Sequence, residues 1–315
     1  MILVTGAGGR VGRALTSFLL SKGKEVRGLS RDGSGCEGAE IIKGDIMDSK
    51  TVEKAAEDAE CVYHLAAVID QTGMDARRMW EINVTGTKNV IAASWGSTFV
   101  YLSSTAVYGN NDGTGISEDT RINPSGTYGK SKAAAENEVL KNKGMVVRSP
   151  VVYGKGFDEG FFQVMYRLEK GRMPTIGSGK NLIQWIHIDD LVRALVLAGE
   201  KGSPGQVYLV AGKEARTQSE LISMLARELG AEEPSARVNK SLAGAVSSLS
   251  ALSSGILRKK PSMLPEHVRR IASSRTFETG KARRELGFEP SVGYEEGVRE
   301  IVREYLSSRR QRAET

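Results

Sequence analysis

The sequence predicts an α/β chain built on a doubly wound parallel sheet, with a smaller C-terminal unit interleaved into it. Three observations carry that expectation. A glycine-rich turn joins the first apolar strand to the first helix. Strands and helices then alternate over about 150 residues, the pattern that wraps helices over both faces of a parallel sheet. The residues with chemistry to offer (Gly6, Ser30, Asp45, Ala66, Ser104 and Pro150) fall at or near predicted strand ends, where open α/β sheets bind ligands.

The first strand is Ile2–Thr5, and residues 11–21 read as the first helix. Between them runs Gly6-Ala-Gly8-Gly9-Arg10-Val11-Gly12. A glycine turn there presents backbone N–H groups at a helix N-terminus, which is a phosphate site. Gly6 permits the turn, Gly9 lets the backbone approach a pyrophosphate, and Gly12 lets the helix pack closely on the sheet. The spacing, G-x-x-G-x-x-G, is one residue longer in its first gap than G-x-G-x-x-G. Gly6, Gly8, Gly9, Arg10, Val11 and Gly12 are the candidate contacts.

Residues 25–30 form the second strand, whose end should meet an adenosine ribose. An NAD site places a carboxylate there. Here Ser30 and Arg31 occupy the position, and a serine beside an arginine suits a 2′-phosphate through charge-assisted, forked donors. Arg27 and Arg10 would add positive charge. The rival reading gives the carboxylate role to Asp32. The expectation is NADP over NAD.

Glu40–Lys43 is the third strand, followed by Gly44-Asp45-Ile46. Asp45 either reaches an adenine amine or bonds its own turn. Residues 49–59 read as a helix behind Asp48, an N-cap type residue. Residues 61–67 form the fourth strand, ending in His64-Leu65-Ala66-Ala67. Its small residues leave room for a cofactor, and His64 reads as a packed strand residue. A helix over residues 79–94 carries Asn83. The fifth and sixth strands are Thr98–Ser104 and 145–148, the latter leading into Pro150-Val151-Val152. Residues 217–229 form a helix with a capping box between Thr217 and Glu220. The expected division is 1–154 plus 184–211 for the nucleotide unit, and 155–183 plus 212–315 for the substrate unit.

The stretch from Ser104 to Lys132 carries the sharpest chemistry. Tyr128-Gly-Lys-Ser-Lys132 lies 24 residues after Ser104, and residues 130–141, rich in Ala, Lys and Glu, read as helix. Tyr128 and Lys132 are four apart and share one helix face. An ammonium beside a phenol favours the phenolate and fits the tyrosine for proton transfer. Ser104, on a strand end, is placed to hold a substrate oxygen.

Composition narrows the function classes. The net charge is +6, and the basic residues cluster late, at Arg258-Lys-Lys260, Arg269-Arg270, Arg283-Arg284 and Arg309-Arg310. These read as a solvated helical surface, with a patch for anionic ligands or a membrane surface as the sharper alternative. No aromatic interleaving accompanies them, so nucleic acid is not an expected partner. No apolar run reaches the roughly 18–20 residues that span a bilayer. Met1 leads straight into a strand without a basic n-region, so a cytoplasmic location is expected. Cys36 and Cys61 lack metal-ligand spacing and read as free thiols, with no metal implied. Residues 242–257 carry no charge and read as a packed helix or as a mobile wall for an apolar substrate. The loop 109–126, rich in Gly, Asn and Ser, is a candidate lid.

Taken in order, Thr5-Gly6-x-x-Gly9-x-x-Gly12, Asn83-Val-x-Gly-Thr87, Ser104 and Tyr128-x-x-x-Lys132 resemble the extended short-chain dehydrogenase/reductase family, which includes NAD-dependent epimerases and dehydratases. Trp185-Ile-His187-Ile-Asp189-Asp190 and Lys281-Ala-Arg-Arg-Glu-Leu-Gly-Phe288 extend the resemblance over essentially the whole chain. The resemblance implies a Rossmann-type cofactor domain with a smaller substrate domain. Tyr128 would be the general acid/base. Lys132 would lower its pKa and bond the nicotinamide ribose, and Ser104 would orient the reacting oxygen. Asn83 would support the local geometry. Leu65, Ala66, Ala67, Ile46, Pro150 and Val152 would border the cofactor. A homodimer through the helices around Asn83 and Lys132 is also implied.

Departures from the family point away from sugar chemistry. Dehydratases carry Asp and Glu where Thr105 and Ala106 stand here. Epimerases place Asn where Val151 stands, and an Arg before the element that begins at Ile186, where this chain has Leu182-Ile-Gln-Trp185. The pattern is most similar to 3β-hydroxysteroid and dihydroflavonol-type dehydrogenases. The expected function is an NAD(P)-dependent oxidoreductase acting on a secondary alcohol or ketone. The alternative is a nucleotide-sugar 4-epimerase with tightly held NAD. A non-enzymatic NADP sensor is a third reading, which the intact Tyr128–Lys132 pair argues against.

Overall fold

The computed structural model describes residues 1–69, 75–109, 113–239 and 272–313. In chain order the elements begin with β1 (Ile2–Thr5), α1 (Arg10–Ser21), β2 (Val26–Ser30), β3 (Glu40–Lys43), α2 (Ser49–Ala56), β4 (Cys61–His64) and α3 (Ala76–Trp80). A π-helical turn (Glu81–Gly86), α4 (Thr87–Ala93), β5 (Thr98–Ser104), a 3-10 turn (Thr105–Tyr108), β6 (Gly113–Ile116), α5 (Gly126–Lys141) and β7 (Met145–Ser149) follow. Beyond them lie β8 (Val152–Tyr153), α6 (Asp158–Glu169), β9 (Thr175–Ile176), β10 (Leu182–Ile183), β11 (Ile186–His187), α7 (Ile188–Lys201) and β12 (Val207–Leu209). The last elements are β13 (Arg216–Thr217), α8 (Gln218–Leu229), β14 (Arg237–Val238), β15 (Arg275–Phe277), α9 (Gly280–Leu286) and α10 (Tyr294–Ala313).

The main sheet runs β12-β7-β5-β4-β1-β2-β3, and every pairing in it is parallel. The chain leaves β1 for β2 and β3 on one side, then crosses back to β4 on the other. That reversal opens a crevice at the carboxyl ends of β1 and β4. The strands are short and apolar because both of their faces are covered; all five residues of β7 are buried. On α1, Gly12, Leu15, Thr16 and Leu19 are buried, the i, i+3, i+4, i+7 stripe of a helix seated on a sheet. One face of the sheet packs on α1, α7 and α9, through residues such as Leu15, Leu191, Leu195 and Leu286. The other packs on α2, α4 and α5, through Val52, Val90, Ala135 and Val139.

A smaller core lies under α6, α8 and α10, where Met165, Leu221, Leu225 and Ile301 meet. Beside it, β13, β10, β15 and β6 form a second sheet. Thr217 caps α8 and exchanges the reciprocal bonds of a capping box with Glu220. Asp48 caps α2 and accepts from Lys50 N.

The structure differs from the sequence reading in several places; the fourth strand, for one, ends at His64 rather than at residue 67. Residues 113–116, expected within a loop, form β6 and pair with β15. Ile116 is buried against Val107, Tyr108, Leu209 and Phe277, so a tertiary apolar contact outweighs the loop character of the flanking glycines. The helix expected from residue 130 starts at Gly126, which puts Tyr128 in its first turn. The helix expected over 79–94 is broken by the π-helical turn that holds Asn83, and such turns are frequent at functional sites. The uncharged stretch 242–257 and the clusters 258–260 and 269–270 lie outside the described residues.

Candidate active site

The crevice at the sheet switch point is a trough of about 510 Å³. Gly6, Gly8 and Gly9 line it from the β1–α1 turn, Ser30, Arg31 and Asp32 from the end of β2, Asp45 and Ile46 from the end of β3, and Leu65, Ala66 and Ala67 from the end of β4. Gly6 sits at φ +73°, and a Cβ there would lie 2.9 Å from the Ala66 backbone. The turn and the β4 loop approach each other only because that position carries no side chain. At Gly12 a Cβ would lie 2.1 Å from the Gly6 carbonyl, so α1 reaches the turn for the same reason. The first turn of α1 holds no acidic residue and its cap, Gly9, offers no side chain. A helix N-terminus so exposed suits a pyrophosphate. These residues fit a dinucleotide.

The ribose end is more closely tied than the sequence reading supposed. Ser30 Oγ donates to the Ser34 carbonyl at 2.6 Å. Asp32 Oδ1 accepts from Ser34 N at 3.0 Å and from Ser34 Oγ at 2.7 Å, and these bonds hold its carboxyl below the usual carboxylate range. Arg31 is exposed at the rim. Arg27 adds no charge to the trough: it pairs with Glu40 at 2.8 Å and donates to the Ala55 and Glu57 carbonyls. Asp45 accepts from Met47 N at 3.0 Å, the turn aspartate of the rival reading, while still lining the trough.

The reacting end lies where β5 meets α5. Lys132 is 2% exposed. Its Nζ donates to the Leu102 carbonyl at 2.6 Å and stands 4.0 Å from the Tyr101 ring centroid. Burial pulls its pKa down to about 7, and the Glu136 carboxylate acts in the opposite direction. Tyr128 stands one turn earlier, half-buried. Ser104, the last residue of β5, accepts from Ala106 N at 3.1 Å through Oγ, which leaves its O–H to donate.

Asn83 is a clamp. Its Oδ1 accepts from Val68 N at 2.7 Å, and its Nδ2 donates to the Val68 carbonyl at 3.0 Å and to Ser131 Oγ at 2.9 Å. Ser131 Oγ in turn donates to the Tyr128 carbonyl at 2.9 Å. One buried amide thus joins the trough wall to the turn that carries Tyr128. His64 is fully buried, 2.7 Å from Thr5 Oγ1 and 2.9 Å from Thr87 Oγ1. Burial holds its pKa near 3, so it is a neutral strut between strand and helix.

A second cavity of about 330 Å³ is walled by Pro150, Val151, Phe161, Val164, Trp185 and Phe277, with Thr105 at its edge. Arg275 is the one charged residue among its described lining. Of the residues expected at the cofactor, Pro150 borders this cavity rather than the trough. Val152 pairs with Ile186 in β8, and Val11 packs on the core. The sequence reading missed Ser34, Gly44, Val68 and Ile82 of the trough. It also missed Phe161, Val164, Phe277 and Arg275 of the cavity. The latter come from segments more than 100 residues apart, and no local motif marks them.

The profile of the NAD dependent epimerase/dehydratase family matches residues 2–211. The chain belongs to this family. Among its relatives, a 3-beta-hydroxysteroid dehydrogenase of Mycolicibacterium neoaurum is 28% identical over 96% of this chain and 91% of that one. A 2-alkyl-3-oxoalkanoate reductase of Shewanella oneidensis is 27% identical over 95% and 84%. The crystal structure of gox2253 superposes with a TM-score of 0.81 at 27% identity, over 98% of both chains. As a member of the epimerase/dehydratase family, the chain is an enzyme of the extended short-chain dehydrogenase/reductase type. Among the described residues no helix is long and apolar enough to cross a membrane, and no group of three or more His, Cys, Asp or Glu could hold a metal ion.

Proposed function

We propose that this enzyme transfers hydride between the nicotinamide of NADP and a secondary alcohol or ketone carbon of an apolar small molecule, with Tyr128 as general acid/base. The carrying observation is the burial of Lys132 one helical turn after Tyr128 and beside the end of β5. An ammonium sequestered there favours the phenolate of Tyr128. Ser104 donates its O–H to the substrate oxygen, and Tyr128 gives that oxygen its proton or takes it away. Bound nicotinamide supplies the hydride donor or acceptor. Asn83 holds both walls of the site in register.

The second cavity, whose walls are mostly aliphatic and aromatic, supports an apolar substrate. A nucleotide diphosphate calls for several cations or helix N-termini, and among the described lining residues Arg275 is the one cation. The relatives named for a hydroxysteroid and an oxoalkanoate accord with this reading. NADP rests on Arg31 at the trough rim, where the Ser34-bound Asp32 is the opposing influence. A homodimer through α3, α4 and α5 belongs to the same proposal.

Tyr128→Phe tests the mechanism. Turnover should fall by about 10²–10⁴-fold while dinucleotide affinity, read by fluorescence titration, stays within twofold. Full activity in that variant would sink the proposal. The family also includes epimerases, and a nucleotide-sugar 4-epimerase is the second reading. Such an enzyme restores its cofactor each cycle, so stoichiometric NAD released from purified, denatured protein would favour it over a reductase that exchanges NADP.

A further inference from the structure

We propose that the buried Glu136–Arg148 pair positions and charges the site lysine: Arg148 fixes the Glu136 carboxylate one helical turn from Lys132, and Glu136 keeps Lys132 a cation. The inference rests on the roles given above to Tyr128 and Lys132.

The geometry is one of successive support. Lys132 and Glu136 lie one helical turn apart on α5, and both are 2% exposed. Arg148, on β7, meets both oxygens of Glu136 through its Nε, at 3.1 and 3.2 Å, and Oε2 again through a terminal nitrogen at 2.7 Å. Its other terminal nitrogen donates to Tyr108 Oη at 3.0 Å and to the Glu118 carbonyl at 3.4 Å. Tyr108 Oη donates onward to the Ser117 carbonyl at 2.8 Å. The guanidinium is therefore fixed from three sides and cannot turn away from the carboxylate.

Groups from several elements face Lys132. From β5 come the Tyr101 ring and the Leu102 carbonyl. From β4 comes His64, stacked on Tyr101 and neutral. On α5, Tyr128 and Glu136 lie one helical turn to either side of Lys132. Arg148 and Tyr108 stand behind Glu136. Among these groups Glu136 is the one carboxylate. Burial alone drives an ammonium to shed its proton, and Glu136 is what opposes that loss. A buried ion pair adds little net stability over an apolar pair of the same volume. Its presence one turn from Lys132 therefore points to an electrostatic task.

The test reads Lys132 directly. The full chain, labelled with ε-13C lysine, is titrated by NMR, with the Lys132 resonance assigned by Lys132→Met. Glu136→Gln keeps the side chain's shape and removes its charge; the Lys132 midpoint should fall by about one pH unit, and the pH profile of turnover should move with it. Arg148→Lys retains a cation for Glu136 but loses the fork, so it should lower thermal stability and leave the midpoint within half a unit. An unmoved midpoint in Glu136→Gln, with reduced thermal stability, would mean that the pair is only structural and would overturn the proposal. If Glu136→Gln does not fold, Glu136→Asp, which draws the carboxylate back, must lower the midpoint or the proposal falls. Persistent turnover in Tyr128→Phe would instead defeat the catalytic reading without touching the titration.

Discussion

Replacing Asn83 with alanine removes the clamp between the trough and the turn that carries Tyr128. The side chain is 1% exposed and makes three hydrogen bonds, to Val68 N, the Val68 carbonyl and Ser131 Oγ. Each contributes about 1 kcal/mol net, and each partner left buried and unpaired costs about 1–3 kcal/mol. Water entering the space recovers part of that loss, so the destabilisation should be about 3–4 kcal/mol. For a chain of 315 residues that is roughly 5–6 °C in Tm. The same change frees Val68, which lines the trough, and loosens Ser131 beneath Tyr128. Dinucleotide affinity and kcat should therefore fall together. Differential scanning fluorimetry with and without dinucleotide reads the first effect, and steady-state kinetics the second. Asn83→Asp, which keeps the acceptor for Val68 N but sets a buried carboxylate oxygen against the Val68 carbonyl, should destabilise at least as much as alanine. A Tm within 2 °C of wild type, with unchanged affinity, would refute the clamp.

Other consequences are equally direct. The His64 pKa lies near 3 in the fold against about 6.5 in the unfolded chain. Between those values the unfolded chain binds a proton that the folded one refuses, so stability falls as pH drops from 6.5 towards 3, by about 1.4 kcal/mol per unit at most. Urea titrations across that window should show a shallower slope in His64→Gln, and equal slopes would remove the argument. Gly6→Ala forces a Cβ into the Ala66 backbone at positive φ; dinucleotide binding should be lost or weakened at least tenfold by calorimetry, and wild-type affinity would contradict the close-approach account. Trp185→Ala opens the wall of the second cavity beside Phe161. KM for bulky apolar ketones should rise about tenfold, roughly 1.4 kcal/mol, with dinucleotide affinity unchanged; an unaltered KM would place the substrate elsewhere.

Local physics makes several parts of this protein legible in its residues. Gly6 and Gly12 announce a turn that no side chain can enter, the four-residue spacing of Tyr128 and Lys132 sets them on one helix face, and Thr217 with Glu220 spells out a helix start. Those are relations within a few residues, where backbone geometry dictates what neighbours do. The alternation of strands and helices likewise specified the parallel sheet, because apolar strands of that length must be covered on both faces.

Other features depend on partners distant in the chain. Ser30 looked free to meet a ribose, yet its hydroxyl is engaged by the Ser34 carbonyl. Arg27 looked available for charge, yet it is committed to Glu40 and to carbonyls near the end of α2. Residues 113–116 looked like part of a loop until β15, some 160 residues later, supplied a strand for them to pair with. The second cavity assembles Thr105, Val151, Phe161, Trp185 and Phe277, each unremarkable in its own stretch. The protonation of Lys132 is decided the same way, since burial and a single carboxylate one turn away act on it in opposite directions, and burial exists only once β5, α5 and β7 have closed around the ammonium.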